Sequence, residues 1–412
     1  MKKVDVIGIG AINIDYIFAG TQSDNKEDKK KLDDGEEIFV KEHVFREHFE
    51  KVRMNSKLVN IEVGGSSLLA IRTLKSMCSQ LTTAYVGVYG RLPRFMEDTR
   101  VPESPNHLRE SLKEYVDEDS WLFYDENSDT GSAIVKLYKR KRQFINILPG
   151  ANNQLKERIE RAGKDQFVSF LSSAKWIHMT SLRDVHQFVV ISEYVKEAKA
   201  KNPSLIVSLD PGYDYTKNHW KTLKSILPMI DFLFLSKGEY ANLTQNIGLP
   251  SKSKATVLGN ELNAIKANPQ IIIIKGKNKV LLLSLINNKA YTRIYRHKRI
   301  PYFRILNDTG AGDAFAGGFI VGKLSPELLS HQPAPIKLAS IAASTRLQSI
   351  EWPTKLKQNA IDYITKNMRD ESLNYKQIIG IISYILKKPL LDFFVGVLVG
   401  VLGNWIWHII TH

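Results

Sequence analysis

Six short apolar runs, rich in β-branched residues, recur along the chain with amphipathic stretches between several of them. They are VDVIGIG (4–10), LTTAYVGVYG (81–90), WIHMTSL (176–182), LIVSLDP (205–211), DFLFLS (231–236) and QIIIIKG (270–276). Each has the length and branching of a buried strand. The stretch DVHQFVVISEYVKEAKAKN, just before LIVSLDP, has the pattern of an amphipathic helix. Strand, helix and strand in succession predict an α/β fold with a parallel sheet covered by helices on both faces. At 412 residues the chain can bury a large core, and with 43% hydrophobic and 25% charged residues it is not disordered as a whole. No internal repeat is visible.

Two internal stretches break the alternation. Lys26–Glu37 has ten charged residues in twelve and reads as a solvated loop, part of a charged segment at 20–37. TGSAIVKLYKRKRQFINIL, residues 130–148, reads as two short strands around a basic turn, a hairpin lying off the main sheet. His43 and His48 fall in a charged stretch and are expected to be solvated. The single cysteine, Cys78, excludes an internal disulfide and suits a reducing cytoplasm. No spacing suggests a structural zinc site.

The two ends differ. The N-terminal apolar run is interrupted by Asp5, Asn13 and Asp15, which argues for a buried strand over Val4–Gly10 and against a signal peptide. The C-terminal segment Leu390–Ile410 spans 21 residues with one charge, Asp392. At about 1.5 Å per residue it would reach roughly 31 Å, near the thickness of a bilayer core. Lys387 and Lys388 precede it, and Trp405 and Trp407 stand near its far end, as in a basic flank and an aromatic belt. A membrane anchor on a cytoplasmic body is one expectation. A buried helix or an oligomer contact is the other, and the Gly396/Gly400 pair leaves a homodimer open. The expected division is a body at 1–370 and a tail at 371–412, with a candidate transmembrane helix at 390–410.

GIGAIN, Gly8 to Asn13, starts like a dinucleotide fingerprint, but Asn13 stands where the third glycine belongs. No phosphate-binding helix pattern follows, and no P-loop motif occurs. Asn13 and Asp15, two apart on an extended segment, point to the same side and suit a polyhydroxylated ligand, or form a polar turn. Further on, NDTGAGDAFAGGF places two glycines and an acid at the mouth of a small-residue helix. Glycines at 310 and 312 let backbone N–H groups converge on an anion, helped by the helix terminus. An acid among those amides is useful when a phosphoryl group gathers charge there and a nearby hydroxyl must lose its proton. Asp313 as a plain helix cap is the simpler alternative.

The sequence here resembles the ribokinase-like (PfkB-type) carbohydrate and nucleoside kinases, from about Val4 to residue 365. NDTGAGDAFAGGF matches the family's C-terminal signature. GAINID, GGSS at Gly64–Ser67, LPGAN at Leu148–Asn152, LDPG at Leu209–Gly212, KGEYANL at Lys237–Leu243 and KG at Lys275–Gly276 follow the family order. The resemblance implies a three-layer α/β/α fold with a mainly parallel sheet and a small β lid, its strands within about 38–63 and 130–148. It implies transfer of the γ-phosphate of ATP to a hydroxyl of a sugar, sugar phosphate or nucleoside, with Asp313 as base. Gly310, Ala311 and Gly312 would form the anion hole. Asn13, Asp15, Gly64 and Gly65 would hold the acceptor. Lys275, Gly276, Thr309 and Ser344 would join Gly310 and Gly312 around the nucleotide, with Ile336–Leu347 walling the adenine. Glu239 would organise Mg2+ through water, and a monovalent cation is a further implied cofactor.

Some positions depart from that pattern. Leu69 and Ser236 stand where the family usually has asparagine, Ile274 where threonine is common, and Asp308 where threonine or proline is usual. These substitutions keep a second expectation open, a ligand-binding or regulatory relative with weak turnover. The net charge of +15 gathers partly in Lys136–Gln143 and Arg293–Arg299, read as solvated hairpin turns. A phosphorylated acceptor or an anionic membrane surface suits this charge better than nucleic acid does.

Overall fold

The computed structural model describes residues 3–20, 37–93, 105–324 and 334–349, apart from 139–140, 181, 252, 267–268, 277, 287–288 and 298–299. The hydrophobic tail and nearly all of the charged loop lie outside the described residues. Among the described residues no helix is long and apolar enough to cross a membrane.

The strands are β1 (Val6–Ile9), β2 (Asn13–Gly20), β3 (Glu37–Phe39), β4 (Ser56–Gly64), β5 (Thr83–Arg91), β6 (Leu122–Asp129) and β7 (Gly131–Tyr138). They continue as β8 (Lys141–Leu148), β9 (Trp176–Thr180), β10 (Ile206–Asp210), β11 (Phe232–Leu235), β12 (Ile271–Lys275), β13 (Lys279–Ile286) and β14 (Lys289–Arg296). The helices are α1 (Glu42–Asn55), α2 (Ser66–Met77), α3 (Pro105–Lys113), α4 (Leu155–Ala162), α5 (Lys164–Ser172) and α6 (Val185–Lys201). After them come α7 (Gly212–Asn218), α8 (Trp220–Ile226), α9 (Lys237–Asn246), α10 (Ala255–Ala264), α11 (Ala311–Leu324) and α12 (Ala334–Leu347).

The larger sheet has the order β14-β13-β12-β11-β10-β9-β1-β5-β6. From β12 to β6 every pairing is parallel, and β12-β13-β14 closes one edge antiparallel. Its strands are apolar on both sides because both faces are covered. Ile7, Ile177 and Leu233 pack with Phe167, Phe188 and Leu223 from α5, α6 and α8. On the opposite face Val6, Trp176 and Phe234 pack with Ile71, Phe319 and Leu338 from α2, α11 and α12. This is the ribokinase-like α/β fold, a mostly parallel sheet between helical layers.

The smaller sheet has the order β3-β8-β7-β2-β4. The expected hairpin is β7 and β8, paired antiparallel. β2 pairs with β7 in parallel and with β4 antiparallel, so Asn13–Gly20 belongs to this sheet. Within 38–63 only the ends are strands; the middle is α1. Its Phe45, Phe49 and Val52 fall on one helical stripe and cover one face of the sheet. Phe49 meets Tyr16 and Phe18 edge-on, with ring centroids 5.3 and 5.7 Å apart. The same helix corrects the reading of His48. His43 is exposed, but His48 is half-buried with Nδ1 2.6 Å from Asn146 Nδ2.

A second correction concerns Arg293–Arg299. Its described part is not a turn but mostly strand: β14 pairs with β13 over eight positions, from Lys279 opposite Arg296 to Ile286 opposite Lys289. Alternating arginines and tyrosines read as a turn because they are polar. Arg293 and Arg296 are exposed on this edge strand, while Tyr295 is half-buried against the core.

Candidate active site

Between β1 and β2 the chain passes from the larger sheet to the smaller one, and a cleft of about 990 Å3, counted to its open mouth, lies at that junction. Gly10 therefore leads into a strand rather than a helix, so the incomplete glycine fingerprint has no dinucleotide-type helix behind it. The body's contribution comes from the carboxyl ends of β9 and β10, the usual place for a ligand in an open α/β sheet.

On one side of the cleft Asn13 and Asp15 are both buried and both line the cavity, as same-face residues of β2 should. Each is held by its surroundings. Gly64, opposite Asn13 in the β2–β4 ladder, makes room for the acid: a Cβ there would lie 2.0 Å from Asp15 Oδ2. Gly65 takes φ 113° at the start of α2, where a Cβ would lie 2.0 Å from the Ala11 carbonyl. Asn152, so far only a landmark of the family order, is the clamp. Its Oδ1 accepts from the Ile12 N–H at 2.8 Å, and its Nδ2 lies 2.8–3.0 Å from the Pro149 and Ile12 carbonyls and Asn13 Oδ1. Leu69, Phe39, Ala133, Val135, Ile147 and Leu182 add apolar surface to the cleft, alongside the polar Ser66 and Asn153. At its mouth the Arg183 guanidinium stands 5.1 Å from the Phe39 ring centroid.

Thr309, Gly310 and Asp313 line the opposite side. Gly310 takes φ 76°, the turn that lets the chain enter α11 abruptly. The first intrahelical bond runs from the Ala314 N–H to the Gly310 carbonyl at 2.9 Å, so the amides of Ala311, Gly312 and Asp313 precede the helical ladder. Lys275 reaches this loop from the end of β12. Its Nζ lies 3.2 Å from where a Gly312 Cβ would be and donates to Asp210 Oδ2 at 2.5 Å. Burial works against the charged amine, but Asp210 and Glu239 outweigh it and hold Lys275 above its ordinary value.

Glu239 joins this group through charge and is anchored locally. Its Oε2 accepts from the Ser236 N–H at 2.7 Å, and its own N–H donates to Ser236 Oγ at 3.2 Å, a capping box for α9. Ser236, a departure from the family pattern, thus has a local task. Burial, and then the negative charge of Asp210, raise the Glu239 carboxyl to about 7, with Lys275 pulling the other way.

The other expected nucleotide residues are less central. The Gly276 carbonyl lies 3.2 Å from His297 Nε2, and Ser344 donates its hydroxyl to the Ile341 carbonyl at 2.9 Å within α12. Neither is among the residues lining the cleft. Asp210, at the end of β10, also lines the cleft, and in the sequence it stands out only as part of LDPG. A carboxylate ending a buried strand was the available signal. Among the described residues no group of three or more His, Cys, Asp or Glu could hold a metal ion by itself.

The comparisons with known proteins give the class, a carbohydrate or nucleoside kinase. The chain belongs to the pfkB family of carbohydrate kinases, whose pattern matches residues 103–351. The adenosine kinase of Schizosaccharomyces pombe is 22% identical over 268 residues, covering 64% of this chain and 73% of that protein. The adenosine kinase of Schizophyllum commune is 19% identical over 231 residues, covering 54% of this chain and 65% of that protein. Among solved structures, adenosine kinase from Schistosoma mansoni in complex with 2-fluoroadenosine superposes with a TM-score of 0.65 at 16% identity, covering 86% of this chain and 98% of that one. Ribokinase from Giardia lamblia gives 0.61 at 19% identity, covering 88% and 100%. At these identities the structural likeness is one of fold.

Proposed function

We propose that the protein transfers the γ-phosphoryl group of ATP to a hydroxyl of a nucleoside held against Asn13 and Asp15, with Asp313 taking the hydroxyl's proton. The observation that carries this reading is that Asp15 and Asp313 line one cleft, the second of them in the first turn of α11. The acceptor oxygen forms a bond to the γ-phosphorus as the bond to the β-phosphate oxygen breaks, and ADP leaves. The proton passes to the Asp313 carboxylate. Charge on the transferring group is met by the amides of the Gly310–Gly312 loop and by Lys275, which are in place before reaction. The smaller sheet serves as a lid that excludes water as a competing acceptor, and residues to about 370 work as the kinase unit.

The apolar wall favours a nucleoside over a free sugar. Leu69, Phe39 and Val135 offer a base a surface that a free sugar's hydroxyls would leave desolvated. The two curated relatives are named adenosine kinases, which agrees with a purine nucleoside.

Magnesium suits the donors present. Asp210 and Glu239 are two neighbouring carboxylates, one of them with a raised pKa that a cation would relieve. Mg2+ commonly binds through one or two carboxylates, substrate phosphates and waters. When bound it supplies charge neutralisation on the phosphates; Asp210 and Glu239 would hold its water shell.

Leu69 favours the second reading, a ligand-binding relative with little turnover, because it is only 2% exposed on the cleft wall where the family usually has asparagine. Consumption of magnesium–ATP against nucleosides, free sugars and sugar phosphates decides between them. Turnover with a nucleoside is expected. Turnover only with free sugars or sugar phosphates would overturn the apolar-wall argument, and ATP binding with no turnover would establish the binding protein.

A further inference from the structure

Among the described residues Arg346 is the only fully buried arginine, with no exposed surface. It lies one residue from the end of α12. Taking a guanidinium out of water is costly unless its donors are met by well-placed acceptors. Two of them are. Nη2 lies 2.6 Å from Glu62 Oε1, and Nε donates to the Thr309 carbonyl at 2.9 Å. Glu62 is itself buried, and its other oxygen accepts from Asn60 Nδ2 at 3.3 Å. Burial is the largest influence on both charges, raising the Glu62 carboxyl and lowering Arg346 despite their attraction. Stability alone is therefore a poor reason for the pair, since a buried ion pair often gains little over apolar packing.

Its two ends stand at informative places. Glu62 is directly opposite Asp15 in the β2–β4 ladder. Thr309 immediately precedes Gly310 of the candidate anion hole. The acceptor side and the phosphate side belong to different sheets and their helices, so something must fix the gap between them. We propose that Arg346 is a positioning residue whose guanidinium ties the strand pair carrying Asp15 to the loop carrying the anion hole. It thereby sets the distance between acceptor hydroxyl and phosphoryl group. This rests on the reading of the cleft as a phosphotransfer site.

Arg346→Lys and Glu62→Gln in the full chain test it by two readouts. Each variant is expected to lower kcat about 10–100-fold, as small misplacements of reacting groups do, with the KM for ATP changed less than about 3-fold and the double variant no worse than the worse single one. Hydrogen exchange in Arg346→Lys is expected to quicken together in peptides covering 56–64 and 305–312. Normal kcat in a folded variant, or exchange that quickens in α12 alone, would overturn the proposal. If Arg346→Lys does not fold, Glu62→Gln decides by the same two readouts. A parent protein that turns over no acceptor removes the kinase reading, and the exchange pattern then decides the tie by itself.

Discussion

The two sheets meet at one cleft but hold their charged groups by opposite means. In the smaller sheet Asp15 is set by steric fit: a ladder position, a glycine that vacates space, and the Asn152 clamp on its neighbour Asn13. On the body side Asp313 and the Gly310–Gly312 loop stand at the start of α11, with the Lys275 amine, paired with Asp210, beside them. The first arrangement selects a shape. In the proposed mechanism the second supplies a field for a phosphate. One family can thus keep the field and vary the shape.

Variants on each side sharpen the contrast. The largest effect is expected at Asp313: replacing it by asparagine should lower kcat by about 10^2–10^4-fold, the usual contribution of general base catalysis. Next comes a matched glycine pair. Gly64→Ala pushes a methyl into the Asp15 carboxylate and should lower kcat/KM for the acceptor by about 10^2-fold. Gly312→Ala approaches the Lys275 amine only to 3.2 Å, against 2.0 Å at Gly64, and should cost less than about 10-fold. Equal losses in steady-state kinetics would erase the distinction. Leu69→Asn should change the preference between polar and apolar acceptors by less than about 10-fold, read as a ratio of kcat/KM values.

The smallest effect is protonic. The folded Glu239 holds its proton up to about 7, while an ordinary glutamate releases it near 4.5. Between those values the folded state binds more protons than the unfolded one, so this group's contribution to stability falls as pH rises through the window. Glu239→Gln should flatten that part of a melting temperature against pH profile. Binding of magnesium–ATP should release a fraction of a proton near neutral pH, seen in calorimetry as a dependence on buffer ionisation heat.

Much of the body was legible because its strands are buried on both faces. DFLFLS and QIIIIKG announce β11 and β12 as continuous apolar runs, and the sheet follows from their alternation with helices. The smaller sheet was harder. NIDYIFAG reads as an extended segment carrying Asn13 and Asp15, but only three residues separate β1 from β2, and periodicity does not say that a chain changes sheet. α1 was hidden because three buried residues, Phe45, Phe49 and Val52, are diluted by charged neighbours. At the site, short motifs exposed Asp313 and its glycines, since unusual backbone needs unusual residues. Asn152, Asp210 and Arg346 act through partners distant in sequence, Arg346 reaching Glu62 across 284 positions, and no local pattern carries such a contact.

In the proposed mechanism Asp313 acts on a proton while its loop and Lys275 hold the phosphate. The most direct test measures ATP turnover and nucleotide affinity together in the protein and its Asp313→Asn variant, with the best acceptor present. A collapse of turnover is expected with ATP affinity unchanged within about 3-fold, since the amides and the lysine remain. Turnover that survives the substitution, or a loss explained wholly by weaker ATP binding, would contradict it.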